Sequence, residues 1–104
     1  MAHVTIFRMK AKPGEREAVV DLFDMWQREH MPKVEGFVRS TIICNLDDDD
    51  EFMAEVMFES RETYDANSAT PEQGEWFQKL RSHLIADPDW FNGKLERESG
   101  NIVP

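Results

Sequence analysis

The segment that most limits what this chain can fold into runs from Glu51 to Glu59. Phe52, Ala54, Val56 and Phe58 alternate there with Met53, Glu55, Met57 and Glu59. In a strand, successive side chains point to opposite faces. One face is therefore wholly apolar, while the other sets two methionines between glutamates. Residues 2–11 have the same character, with Val4 and Ile6 on one parity and Thr5, Phe7 and Met9 on the other. Strands with apolar groups on both faces need cover on both sides.

Part of that cover comes from the helices in the pattern. Pro13-Gly14 ends the first strand, and Glu15 to Met31 follows helical spacing. Val19, Leu22, Phe23 and Trp26 form one stripe, widened by Ala18 and Met25, with Glu15, Asp21, Asp24 and Arg28 facing away. Acidic residues in the first turn suit the positive end of the helix dipole, and Pro32 stops the helix. Gly36 opens a second strand from Phe37 to about Leu46. Asp47 to Asp50 read as a turn, and Glu51 to Glu59 as the third strand. Ser60 caps a short helix through Tyr64 and Ala66. Thr70-Pro71-Glu72-Gln73 then offers a capping hydroxyl, Pro at the first helical position and Gln at the third. The helix that follows carries Trp76, Phe77, Leu80 and Leu84 inward and ends near Asp87-Pro88. Trp90 to about Glu98 supplies a last strand, and Ser99 to Pro104 forms a loose or partner-clasping tail.

The order is β-α-β-β-α-β, the ferredoxin-like split arrangement of an α+β domain. It predicts a four-stranded antiparallel sheet with its helices on one face. Apolar side chains left on the other face forfeit about 1.5–3 kcal/mol each in water. A homodimer packed sheet against sheet removes that cost. At 104 residues the chain, 1–104, is one domain without internal repeats.

Charge excludes several partners. The net charge is −9, from 12 basic and 21 acidic residues, and no basic stripe exists to attract a phosphate backbone or an anionic membrane. No run approaches the ~20 apolar residues of a membrane span, and the first residues do not read as a signal peptide. Cys44 is the only cysteine, so the expected setting is reduced and cytoplasmic.

Metal and cofactor signatures are missing. No two histidines have i, i+4 spacing and Cys44 has no partner cysteine. The Asp47–Glu51 run resembles a calcium loop only in charge, since Phe52 stands where glycine is needed and Phe58 where glutamate is needed. There is no phosphate-cradling glycine loop. The expectation is no metal and no cofactor.

Three histidines remain as acid/base candidates. His3 reads as a surface or barrel residue of the first strand. His30 lies four past Trp26, either a helix-end histidine or a pocket base. His83 lies seven past Trp76 and flanks the inward face of the last helix. Trp26, Trp76, Phe7, Phe58 and Tyr64 supply aromatic surface for a core, or for a pocket that grips a flat ring. In such a pocket a histidine could take a phenolic proton, whereas Asn67 could position an oxygen but not accept the proton.

From about His3 to Leu95 the chain resembles the antibiotic-biosynthesis-monooxygenase-like family of the dimeric α/β-barrel superfamily. The likeness is carried by Glu35-Gly36-Phe37, the acidic turn, and the run Phe58-Glu59-Ser60-Arg61-Glu62-Thr63-Tyr64-Asp65-Ala66-Asn67 leading to the Pro71 helix. It implies a dimeric barrel with a pocket between sheet and helices. Several members oxidise quinols or polycyclic phenols with O₂ and no cofactor, and some degrade haem. Many members resemble Glu-x-Trp at the end of strand three, where this chain has Val56 and Phe58, and many carry histidine where it has Asn67. The haem-degrading members use a helix histidine at a position matching Gln78, so haem chemistry does not fit.

The resemblance implies a homodimeric, cofactor-independent monooxygenase acting on a small quinol or phenol. The catalytic candidates are His83, His30 and Asn67, and the aromatic residues above are the substrate-binding ones. The alternatives are a non-catalytic ligand-binding or stress-related barrel, and an isomerase of small metabolites.

Overall fold

The computed structural model describes residues 1–100. The last four positions of the expected tail, 101–104, lie outside the described residues. The elements run β1 (His3–Lys10), α1 (Arg16–Met25), β2 (Phe37–Asn45), β3 (Asp48–Phe58), α2 (Arg61–Ser68), α3 (Pro71–Ser82) and β4 (Asp89–Lys94). The strands form one sheet in the order β2-β3-β1-β4, every neighbouring pair antiparallel. This is the expected α+β, ferredoxin-like architecture.

Alternation builds the core. Phe7 pairs with Ala54 and Met9 with Phe52 across β1 and β3, putting all four on the face toward the helices. Val19 of α1 and Trp76 and Leu80 of α3 pack down onto them, and all are buried. Local chemistry starts the helices where expected. The Ser60 hydroxyl accepts the Thr63 N–H while the Thr63 hydroxyl accepts the Ser60 N–H, a reciprocal box at the start of α2. Thr70 accepts the Gln73 N–H at the start of α3. Such caps contribute about 1 kcal/mol each. Gly36, at φ +80°, admits no other residue, because a Cβ there would sit 2.6 Å from Thr63 side-chain atoms.

Four boundaries differ from expectation. Regular α-helix ends at Met25 rather than Met31, and Trp26–His30 continues as a π-helical turn followed by a 3₁₀ turn, Met31–Lys33. Pro32 sits in the first turn of that short segment, where its missing N–H is tolerated. The acidic run is not a four-residue turn, because β3 begins at Asp48 and Asn45 already pairs with Asp48. The Asp48 carboxylate is held by Lys10 at 2.8 Å, so the charge lies along a strand beside a cation. α3 stops at Ser82, and Leu84 is buried by bridging to Ala11 rather than by helical spacing. The last strand is Asp89–Lys94, shorter than the Trp90–Glu98 expected.

The second face of the sheet carries no helix. Register puts Val4, Ile6, Ile43, Met53 and Phe91 there, among Arg8, Arg39 and Glu55. Ile43 is 58% exposed and Phe91 68%.

Candidate active site

At the end of the sheet where α2 and α3 begin, the two layers part around a cavity of about 270 Å³. Phe7, Val56, Phe58 and Phe37 form its sheet side, with Ser40 and Thr5. Phe23, Trp26, Tyr64, Trp76 and Phe77 close it from the helices, and Trp90 of β4 flanks it. The rings brace one another. Phe37 and Phe58 meet edge to face at 5.7 Å, Phe58 and Tyr64 at 5.5 Å, and Phe23 and Trp76 at 5.1 Å. Trp26 and Phe37 lie 4.9 Å apart, and Phe7 and Trp90 4.7 Å. Mutual packing of this kind holds rings in fixed orientations, which suits a flat ligand.

The polar groups divide into those already engaged and those free for a guest. Trp26 Nε1 donates to Gln73 Oε1 at 2.8 Å, and Trp76 Nε1 donates to the Leu22 carbonyl at 2.8 Å. Both indoles are thereby spent. Gln73, read from sequence as the return half of a capping box, has its side chain drawn inward by Trp26 instead. Among the described residues, the Asn67 amide and the Ser40 and Tyr64 hydroxyls make no side-chain hydrogen bond. These three line the cavity beside Thr5, Ser68 and Gln73, whose side chains are already engaged.

The structure brings Phe7, Trp26, Phe58, Tyr64, Asn67 and Trp76 together at this cavity. It does not bring His30 or His83, which corrects the expectation that either flanks the pocket. His83 is the cap residue after α3, and its Nδ1 lies 2.8 Å from Glu15 Oε1 while its carbonyl accepts the Lys12 N–H. It belongs to the far end of the sheet, beside Ala11. Thr5 lines the cavity, and Ala11 lies six residue steps further along the chain, roughly 20 Å away. Helical rise is the reason, since seven residues carry His83 about 10 Å along α3 from Trp76. His30 follows Trp26 through the π-helical turn and lies parallel to its indole, 6.4 Å away and on the side away from the cavity lining. There it borders a wider, open groove with Arg28, Lys33, Glu72 and Asn67.

The histidine that does approach the cavity is His3. It is 6% exposed, its Nε2 lies 2.8 Å from Thr5 Oγ1, and its ring sits 4.3 Å from that of Tyr64. Its parity with Thr5 and Phe7 was the available signal, since all three point inward. Ser40, Phe23, Phe77 and Trp90 are further lining residues that no motif marked, and Phe37 and Gln73 stood in motifs read only for a strand start and a helix cap. No three His, Cys, Asp or Glu side chains converge as a metal site requires, among the described residues.

Fold and cavity together define a ferredoxin-like α+β domain with an aromatic-walled chamber between sheet and helices. Residues 2–79 match the family model for antibiotic biosynthesis monooxygenases. The chain belongs to that family. Its fold matches a mutant of SnoaB, a cofactor-independent oxygenase from Streptomyces nogalater, with TM-score 0.83 at 15% identity over 93% of this chain and 95% of that one. A conserved protein from Methanosarcina mazei Go1 gives 0.81 at 15% identity, over 90% and 92%. Rv0793 from Mycobacterium tuberculosis gives 0.79 at 17% identity, over 96% and 100%. No curated protein matches by sequence. No helix among the described residues is long and apolar enough to cross a membrane.

Proposed function

We propose that the protein is a cofactor-independent monooxygenase for a small, flat phenolic or quinol-type metabolite, working as a cytoplasmic homodimer. The observation that carries this reading is the cavity, whose aromatic walls enclose only a few uncommitted polar groups. A ring held there presents its hydroxyl to Asn67, Ser40 or Tyr64. Loss of the phenolic proton makes the ring electron-rich enough to reduce O₂. One oxygen atom bonds to a ring carbon and the other leaves as water. The substrate supplies all the electrons, its O–H and C–H bonds breaking as a quinone forms, so the balance needs no flavin or metal. Asn67 orients the substrate and takes no proton. That the fold is shared with an enzyme named as a cofactor-independent oxygenase supports the reading.

A second reading has its own support. Tyr64 is the one ionisable side chain lining the cavity, and no histidine lines it. A binding domain that holds an aromatic ligand without converting it fits that fact. Oxygen uptake separates the two. Chelator-treated protein, offered naphthols and naphthohydroquinones in turn, should consume O₂ faster than the protein-free mixture with at least one of them. Tryptophan fluorescence quenching without any added O₂ consumption would leave the binding domain standing.

The homodimer rests on the open face of the sheet, where Val4, Ile6, Ile43, Met53 and Phe91 lie. A second copy laid on that face covers them, with Arg39 and Glu55 as charged edges. Cys44, unpaired, suits a reducing compartment.

A further inference from the structure

The phenol-oxidising reading leaves a proton without a destination, because Asn67, Ser40 and Tyr64 are poor bases near neutrality. Behind the cavity wall stands a group that can take it. Thr5 is 1% exposed and lines the chamber, and its Oγ1 lies 2.7 Å from Asn92 Oδ1 and 2.8 Å from His3 Nε2. A hydroxyl has one proton and two lone pairs. At rest it donates to Asn92, so it accepts from His3 only if Nε2 carries a hydrogen. When Nε2 is bare, the same hydroxyl can turn from Asn92 to His3. Asn92 is exposed, so water can then satisfy its amide oxygen. On its other side His3 borders a smaller outer depression with Arg61, Asp65 and Asn92. The imidazole thus stands between the chamber and a separate outer depression.

The geometry points to a proton relay through the cavity wall, in which Thr5 passes the substrate's phenolic proton to His3. It rests on the phenol-binding reading of the chamber. The substrate O–H bond breaks as its proton bonds to Thr5 Oγ1, while the hydroxyl's own proton moves to His3 Nε2. A phenolate and an imidazolium result, and no net charge is created. When the oxygenated product forms water, the imidazolium returns its proton by the reverse route or through the outer depression. His3 touches no substrate and acts only through Thr5. The groups facing it are the Tyr64 ring, Arg61, Glu62 and Asp65 from α2, Lys94 opposite it on β4, and the uncharged Phe58 on β3.

Bound 4-nitrophenol tests the relay without turnover, because its anion absorbs in the visible. At a mildly acidic pH, wild-type protein should hold roughly threefold or more anion per bound probe than His3→Gln or Thr5→Val. Thr5→Ser keeps the hydroxyl and should restore the wild-type fraction, which a merely structural role for Thr5 would not require. In wild-type protein alone, the His3 ring nitrogens should shift to imidazolium values in ¹⁵N spectra when the probe binds, a readout that needs no variant to fold. Equal anion fractions in folded wild type and variants, or a His3 signal unmoved by bound probe, would overturn the relay while leaving the chamber a phenol site. Absence of binding in every protein would overturn the chamber reading and the relay with it.

Discussion

Gln73 shows how one side chain is claimed by the stronger of two demands. Its position suits a capping box, yet a buried indole N–H without a partner costs about 1–3 kcal/mol, more than half a cap contributes. The amide therefore turns to Trp26. Gln73→Leu should destabilise the fold by about 1–3 kcal/mol in urea titrations, mostly through the orphaned Trp26 N–H. His83 offers the opposite case. It is held by Glu15 on a partly exposed surface at the far end from the chamber. His83→Ala should cost no more than about 1 kcal/mol, as loss of a partly exposed hydrogen bond does, and should leave oxygen uptake unchanged. Asn67→Ala should preserve the melting temperature and lower turnover through lost orientation, seen as a fall in kcat/KM with the phenol that reacts best. The aromatic members of the chamber were legible in sequence, because large side chains at helical and strand spacing must face inward. Asn67 was reached through the family resemblance, whereas Ser40 was not, because a hydroxyl on a strand carries no periodic signal. His83 was misplaced because helical spacing reports a shared face and not the distance along the axis.

At the scale of elements, the β2–β3 hairpin shows where patterning and charge disagree. Four consecutive aspartates read as a solvated turn, yet most of them extend a strand. The deciding contacts come from β1. A hydrogen bond from Lys10, then one from the Asp50 N–H, holds the Asp48 carboxyl below its usual range, and Arg8 and then Asn45 do the same for Glu51. A carboxyl with a lowered folded pKa adds stability above its unfolded value, about 4, and loses it as pH falls through the folded value. Melting temperature should therefore fall between about pH 4 and more acid conditions. The pair Asp48→Asn and Glu51→Gln should flatten that decline and leave the neutral-to-alkaline limb unchanged. An equally steep acid limb in the double variant would remove these carboxyls from the explanation. Such cross-strand partners are remote in sequence, so the start of β3 was out of reach of local reading. The same holds for the end of α1. Its apolar stripe continues to Trp26, but the π-helical turn that begins there inserts an extra residue into the spacing. The element order and the caps, by contrast, depend on local patterning, and they were readable.

The whole molecule is a sheet with two different uses for its two faces. One face, with its helices, borders the chamber; the other carries exposed apolar side chains, which the proposed second copy would cover. Sedimentation equilibrium at micromolar concentration should give twice the chain mass, since a stable interface of standard size buries about 1,600 Å². Ile43→Glu combined with Phe91→Glu should shift the protein toward monomer, and a well-folded wild-type monomer would contradict the sheet-to-sheet assembly. The central claim concerns the other face, and isotope labelling tests it most directly. Chelator-treated protein is incubated under ¹⁸O₂ with each naphthol and naphthohydroquinone, and the products are weighed by mass spectrometry. A single ¹⁸O atom per quinone product from a naphthol, above the protein-free rate, is the result a monooxygenase of this kind must give. Products carrying no ¹⁸O, or no product above the protein-free rate with any phenol, would contradict it.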